Sequence, residues 1–257
     1  MGSRDPVIIV EHRGVVKAYP LSILVWHEIV NDEVAGLPVA VTFCPLCNTA
    51  LVFDRRLGSR LLDFGTTGRL RHSDLVMYDR QTESWWQQVT GDRPYGRNPY
   101  AGYDDPGNQP LLGFFIQNAD PRLPAMERVV AIEAGEGWAV TFETLREVRV
   151  VNEEIEDTPV VVFWSPGAAS ALDAAEIASG RDVGQTAVYD RRVAGRLLTF
   201  YPVDGGFRDR ETGSGWMLAG WAVDGSLAGQ RLEPVPHGNH FWFPWAVFRP
   251  DTQVWEP

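Results

Sequence analysis

Two stretches decide the fold: they read PVAVTFC at residues 38–44 and PVVVFWS at residues 159–165. Each is a short apolar run rich in β-branched and aromatic residues, which is typical of a buried strand. Similar short runs, separated by Gly, Pro, Asn and Asp, continue along the chain, which has 25 glycines and 18 prolines. This pattern predicts a mainly β protein with short helices.

The two stretches belong to a longer internal repeat. They are offset by 121 residues, and further pairs follow in the same order. FDRR at 53–56 matches YDRR at 189–192, LLDF at 61–64 matches LLTF at 197–200, and DRQT at 79–82 matches DRET at 209–212. Asn31 also matches Asn152, and Ser84 and Trp86 match Ser214 and Trp216. Six pieces in one order indicate a duplicated unit, with copies near residues 5–92 and 127–224.

We therefore predict two internal repeats of one β-rich unit, packed as a pseudo-twofold pair. The first repeat covers residues 1–92, a linker or long loop covers 93–124, and the second repeat covers 125–257. Each repeat has a short helix, near Leu21–Val30 and Phe142–Val148, that starts after Pro20 or Thr141. The aromatic run at 241–248 is predicted as a final strand that closes the core.

Composition excludes several classes of function. The 257-residue chain has 23 Lys and Arg against 34 Asp and Glu, a net charge of −11, which argues against nucleic acid and against an anionic membrane surface as partners. No apolar run approaches the roughly 20 residues that span a bilayer, and no apolar stretch follows the first residues as in a signal peptide. The sequence also lacks a P-loop, a dinucleotide-binding GxGxxG, a GxSxG elbow and an HExxH motif.

The turn after the first Val-rich stretch differs most between the copies. It reads CPLCN at 44–48 in copy one and SPGAA at 165–169 in copy two, so the proline stays and both thiols are lost. A Cys-Pro-x-Cys turn followed by Asn48, which tolerates a positive φ, resembles a metal-binding knuckle formed by Cys44 and Cys47. The alternatives are a redox dithiol, or an inert buried pair or disulfide.

Other side chains of copy one are candidate ligands. His27 stands where copy two has Val148, and its i, i+3 spacing from Leu24 predicts that it faces the core beside the thiol turn. The fourth ligand would be Met77, His72, Glu28 or water. Asp74 and Glu28 are candidate acid–base or supporting groups, with a solvated surface position favoured for each.

Several segments together resemble the DUF3179 family, over nearly the whole chain. They are AYPL at 18–21, WHEIVND at 26–32, FCPLC at 43–47, SDLVMYD at 73–79, DRETGS at 209–214, and FWFPW at 241–245 with PDT at 250–252. The family has no known function, so the resemblance supplies no mechanism. Its members often carry leaders or lipoprotein signals, which implies an extracytoplasmic location. The WHE and CPLC segments fit the family pattern, which supports His27, Cys44 and Cys47, whereas members often carry Asn in place of His72.

The sequence thus predicts one mononuclear metal site in the first repeat, with Cys44, Cys47 and His27 as ligands. Copper is favoured because two thiolates and an imidazole with a soft fourth ligand suit it, and zinc comes next. A copper site points to electron transfer or redox chemistry, but no reaction or substrate is assigned. Two alternatives remain open: a carbohydrate- or protein-binding module with an aromatic surface around Tyr95, Tyr100, Tyr103 and Trp242, and a thiol–disulfide oxidoreductase.

Overall fold

The computed structural model describes residues 2–91 and 119–257. Most of the predicted linker at 93–124, with Tyr95, Tyr100 and Tyr103, lies outside the described residues. The chain is mainly β, as predicted, and its helices are short. Among the described residues no helix has both the length and the apolar character that crossing a bilayer requires.

The elements of the first half follow one another with few residues between them. They are β1 (Val7–His12), β2 (Val15–Pro20), α1 (Leu21–His27), β3 (Ile29–Val34), β4 (Leu37–Cys44), β5 (Thr49–Asp54), β6 (Arg56–Leu57), β7 (Arg60–Leu61), β8 (Phe64–Arg71), β9 (Asp74–Asp79) and β10 (Trp85–Gln87).

The second half repeats this order. Its elements are β11 (Arg128–Ile132), β12 (Trp138–Thr141), α2 (Phe142–Val148), β13 (Val150–Ile155), β14 (Thr158–Ser165), a 3₁₀ helix (Ile177–Ser179), β15 (Gln185–Asp190), β16 (Arg192–Val193), β17 (Arg196–Leu197), β18 (Phe200–Val203), β19 (Gly206–Asp209) and β20 (Gly215–Trp216). The chain ends with β21 (Gly238–Phe241), α3 (Trp242–Phe248) and β22 (Gln253–Val254).

The chain forms two compact units, and neither is continuous in sequence. Unit 1 comprises Met1–Glu127, Ser170–Gly180 and Gly238–Pro250, and unit 2 comprises Arg128–Ala169, Arg181–His237 and Asp251–Pro257. Copy one therefore lies in unit 1 and most of copy two in unit 2. The pseudo-twofold packing stays a prediction, and so do the domain boundaries at 1–92, 93–124 and 125–257.

The Val-rich stretch is central to unit 1. It forms β4, which pairs antiparallel with β3 on one side and β5 on the other, so that Val41 lies opposite Val30 and Val52. Alternate residues point to two different cores: Val39, Val41 and Phe43 pack with α1 and the β1–β2 hairpin, whereas Ala40 and Cys44 pack with β9. Because both faces of the strand are covered, its sequence is a nearly continuous apolar run and does not alternate between apolar and polar residues.

Unit 2 is built in the same way around β14. Val160, Val162 and Trp164 enter one core, and Val161 and Phe163 enter another. The strand pairs antiparallel with β13 and β15.

Two of the predicted elements differ from the structure. Helix α1 ends at His27, because Glu28 adopts a φ of 59° and Ile29 already begins β3. The predicted strand at 241–248 is instead the helix α3, with Pro244 in its first turn, where proline is tolerated. Its aromatic residues do not alternate in and out, since the helix buries nearly all of its first turn and a half.

Candidate metal centre

The two cysteines lie on a tight turn between two strands of unit 1. Cys44 is the last residue of β4 and pairs with Thr49, the first residue of β5. Asn48 has the predicted positive φ, 52°, which asparagine adopts more readily than most residues. Both cysteines are reduced, and their side chains are 1% exposed at Cys44 and 0% at Cys47.

A carboxylate reaches this turn from a second hairpin. Asp74 is the first residue of β9, and its side chain is 0% exposed. The β8–β9 hairpin has strands of eight and six residues, against four and four in the equivalent β18–β19 hairpin. The extra length carries Asp74 to the thiols, and the chain reverses at His72 and Ser73, both with positive φ as in a type I′ turn.

Three side-chain atoms come together at this point. The sulfurs of Cys44 and Cys47 and an oxygen of Asp74 all lie within 4.8 Å of one another. The Cys47 thiol donates a hydrogen bond to Asp74 Oδ1, with a sulfur–oxygen distance of 3.1 Å. Within residues 2–91 and 119–257, no other three Cys, His, Asp or Glu side chains converge in this way.

The Asp74 carboxylate is held in one orientation. Its Oδ2 accepts a hydrogen bond from the Val89 backbone N–H at 2.9 Å and another from the Gln87 side-chain amide. Gln87 is itself buried. These two bonds fix Oδ2 and leave Oδ1 directed at the thiols, which is how supporting groups commonly orient a metal-bound carboxylate.

Burial makes negative charge costly in this cluster. Burial raises the pKa of Asp74 to about 6, although hydrogen bonds from the Val89 N–H, the Cys47 thiol and the Gln87 amide lower it. Burial also raises the pKa of the Cys47 thiol well above its usual value, and the neighbouring Cys44 and Asp74 add to this effect. A bound cation would offset these costs, because thiols and carboxylates lose their protons when they coordinate a metal.

The other predicted ligands lie in different environments. His27 is exposed at the end of α1, and His72 is exposed in the β8–β9 turn, where its ring contacts Phe248 at 5.5 Å. Neither histidine belongs to the converging group. Met77 is buried in the same apolar cluster as Cys44 and Cys47, and Glu28 caps the end of α1.

Two expectations need correction. Asp74 is not at a solvated surface, as was favoured, but fully buried beside the thiols. The sequence feature that could have indicated Asp74 is its position beside the hairpin segment that only copy one has. Trp242 is not part of an exposed aromatic surface, because it is fully buried in α3 with Arg122 over its ring.

These features define a mainly β protein of two compact units, with a buried dithiol–carboxylate group in unit 1. The chain belongs to the DUF3179 family: the family model, described as "Protein of unknown function (DUF3179)", matches residues 1–93 and 91–252. No curated protein and no solved structure matches the chain.

Proposed function

We propose that unit 1 binds a single transition-metal ion through Cys44 Sγ, Cys47 Sγ and an Asp74 oxygen. The observation that carries this proposal is the convergence of the three ligand atoms within 4.8 Å in a fully buried position. At the repeat offset of 121, copy two has Ser165 and Ala168 in place of the thiols. Since copy two folds without thiols, the fold itself does not require them.

Zinc is the metal that this ligand set favours. Zinc binds both thiolate sulfur and carboxylate oxygen in four-coordinate sites, whereas Cu(I) selects soft ligands. The carboxylate therefore shifts the preference from copper, favoured on sequence alone, to zinc. The buried thioether of Met77 in the same cluster is the feature that supports copper as the second metal. Complete burial favours a tightly held ion over an open hydrolytic site, so the role would be structural for zinc, and electron transfer would require copper.

Metal analysis of the full-length protein tests the proposal. We expect about one equivalent of zinc or copper in protein purified without chelator, and its loss in Cys44→Ser and in Asp74→Asn. Asp204→Asn is the matched control, because Asp204 is exposed and lies at the same distance before Asp209 as Asp74 does before Asp79. Metal-free wild-type protein that resists reconstitution with zinc and copper would contradict the proposal.

One contact favours a second candidate, a thiol–disulfide oxidoreductase. The hydrogen bond from Cys47 to Asp74 at 3.1 Å places a carboxylate where it can accept the proton of an attacking thiol. A partner disulfide would then be reduced to two thiols while Cys44 and Cys47 form a disulfide. Metal-free protein with two titratable thiols that exchange reversibly with a disulfide such as oxidised glutathione would favour this function.

For the protein's location, we propose an extracytoplasmic compartment. The support is the family resemblance, since members often carry export leaders. A fusion of the native gene to a periplasmic reporter would test this directly.

A further inference from the structure

A buried histidine of the chain's last segment lies next to the thiol turn. His240 is in β21, which pairs with β5 in unit 1 through Asn239 and Ala50, and its side chain is 1% exposed. Its ring stacks on Trp245 at 5.2 Å. Its Nδ1 is 3.0 Å from the hydroxyl oxygen of Thr49, which is fully buried. The metal site proposed above does not use this imidazole.

Thr49 connects His240 to Cys47. The Thr49 hydroxyl lies 3.5 Å from the Cys47 carbonyl oxygen, two residues before it in the chain. The hydroxyl is therefore placed to donate to the backbone of the residue that carries this thiol. Thr49 thus stands between the imidazole and one proposed metal ligand.

The same segment holds the backbone of the turn. The Phe241 N–H donates a hydrogen bond to the Cys47 carbonyl at 2.9 Å. Consecutive residues of β21 therefore contact Cys47, one through its carbonyl and one through Thr49.

The second copy shows that the fold does not need this pair. At the offset of 136 that relates β5 to β15, Thr49 corresponds to Gln185, which is exposed. Copy two therefore lacks the thiols and also the buried hydroxyl. The Thr49–His240 pair therefore occurs together with the thiols, and it is not a general feature of the sheet that both copies form.

We propose that His240 is a positioning residue of the metal site and acts through Thr49 on Cys47. His240 Nδ1–H donates to Thr49 Oγ1, and the Thr49 hydroxyl donates to the carbonyl oxygen of Cys47. Together with the Phe241 N–H, this chain of hydrogen bonds fixes the backbone at Cys47 and therefore the direction of its sulfur, as supporting groups orient ligands in other metal sites. The inference rests on the metal site proposed above.

Cobalt(II) titration of the full-length, metal-free protein tests this role. Cobalt bound to thiolates gives a sulfur-to-metal charge-transfer band whose position reports on how the sulfur is oriented at the ion. The test variants are His240→Phe, which keeps a ring against Trp245, and Thr49→Val, which keeps the shape of threonine. The rescue variants are His240→Asn, which restores a donor near the Nδ1 position, and Thr49→Ser, which restores the hydroxyl.

We expect His240→Phe and Thr49→Val to weaken cobalt binding by about 10- to 100-fold and to shift the charge-transfer band. The two rescue variants should approach the wild type in both respects. Thermal unfolding of each metal-free variant checks the fold, and the Thr49 pair decides the outcome if His240→Phe does not fold. Wild-type affinity and an unshifted band in Thr49→Val would overturn the inference while the metal site stands. A wild-type protein that shows no thiolate band with cobalt would overturn both.

Discussion

At the scale of single residues, exposure separates His27 from the three proposed metal ligands. His27 is exposed at the last position of α1, and the converging group contains only Cys44, Cys47 and Asp74. We expect His27→Ala to retain its full metal content and to change the free energy of unfolding by no more than about 0.5 kcal/mol, as is usual for surface positions. Metal analysis and urea unfolding check this, and loss of the metal would restore His27 as a ligand.

The two copies also share a buried aspartate whose charge the fold stabilises. Burial alone would raise the pKa of Asp79, but hydrogen bonds from Thr82 and the Trp86 indole lower it below its usual value. Asp209 has the same arrangement with Thr212 and Trp216, and its pKa is lowered as well. Because the folded pKa lies below the unfolded one, each carboxylate stabilises the protein near neutral pH, and this contribution is lost as the pH falls below about 4.

We therefore expect Asp79→Asn and Asp209→Asn to be less stable than the wild type at pH 7 and to lose less stability on acidification. Urea unfolding between pH 3 and 7 measures both effects, with the exposed Asp204→Asn as the control. A variant with wild-type stability at pH 7, or with an undiminished loss in acid, would show that the aspartate is not stabilised in this way.

At the scale of elements, one asparagine in each unit links two neighbouring strands through a pair of hydrogen bonds. Asn31 of β3 donates to the Phe64 carbonyl at 2.7 Å and accepts from the Phe64 N–H at 2.9 Å. Asn152 of β13 makes the same pair of bonds to Phe200, each at 2.8 Å.

Removing either side chain leaves the backbone N–H and carbonyl of a buried phenylalanine, Phe64 or Phe200, without these partners. We expect Asn31→Ala and Asn152→Ala each to lower the free energy of unfolding by about 1–3 kcal/mol, as measured by urea denaturation. An Asn31→Ala protein as stable as the wild type would mean that the bonds are replaced by water at no cost.

The elements also show which features the sequence can predict. The helix after Thr141 begins and ends where its apolar spacing places it, at Phe142 and Val148. The thiol turn is likewise as predicted, because its residues are adjacent in sequence. Asp74 was a candidate supporting group, but its burial beside the thiols could not be predicted, since that depends on how far a hairpin reaches from another part of the chain. Helix α3 was missed because its aromatic residues are buried nearly all round, which removes the helical period from the sequence.

At the scale of the whole molecule, the metal would stabilise one unit directly. The three ligands lie on β4, β9 and the turn before β5, all in unit 1. A ligand that binds only the folded state adds stability in proportion to the logarithm of its free concentration over its dissociation constant. Local opening of the ligand-bearing strands should therefore become rarer when the ion is bound.

We expect hydrogen exchange of the zinc-bound protein to slow in β4, β5 and β9 relative to the metal-free protein. The equivalent strands β14, β15 and β19 of unit 2 serve as the internal reference and should change less. Equal protection of both sets of strands, or of neither, would argue against a site confined to unit 1.

X-ray absorption at the metal edge tests the central claim, the ligand set, most directly. In full-length protein loaded with one equivalent of zinc, we expect two sulfur scatterers at about 2.3 Å and oxygen at about 2.0 Å. The Asp74→Asn protein, if it retains zinc, should keep both sulfurs. Fewer than two sulfurs in the wild type, or the multiple-scattering pattern of an imidazole, would contradict a Cys44, Cys47 and Asp74 site.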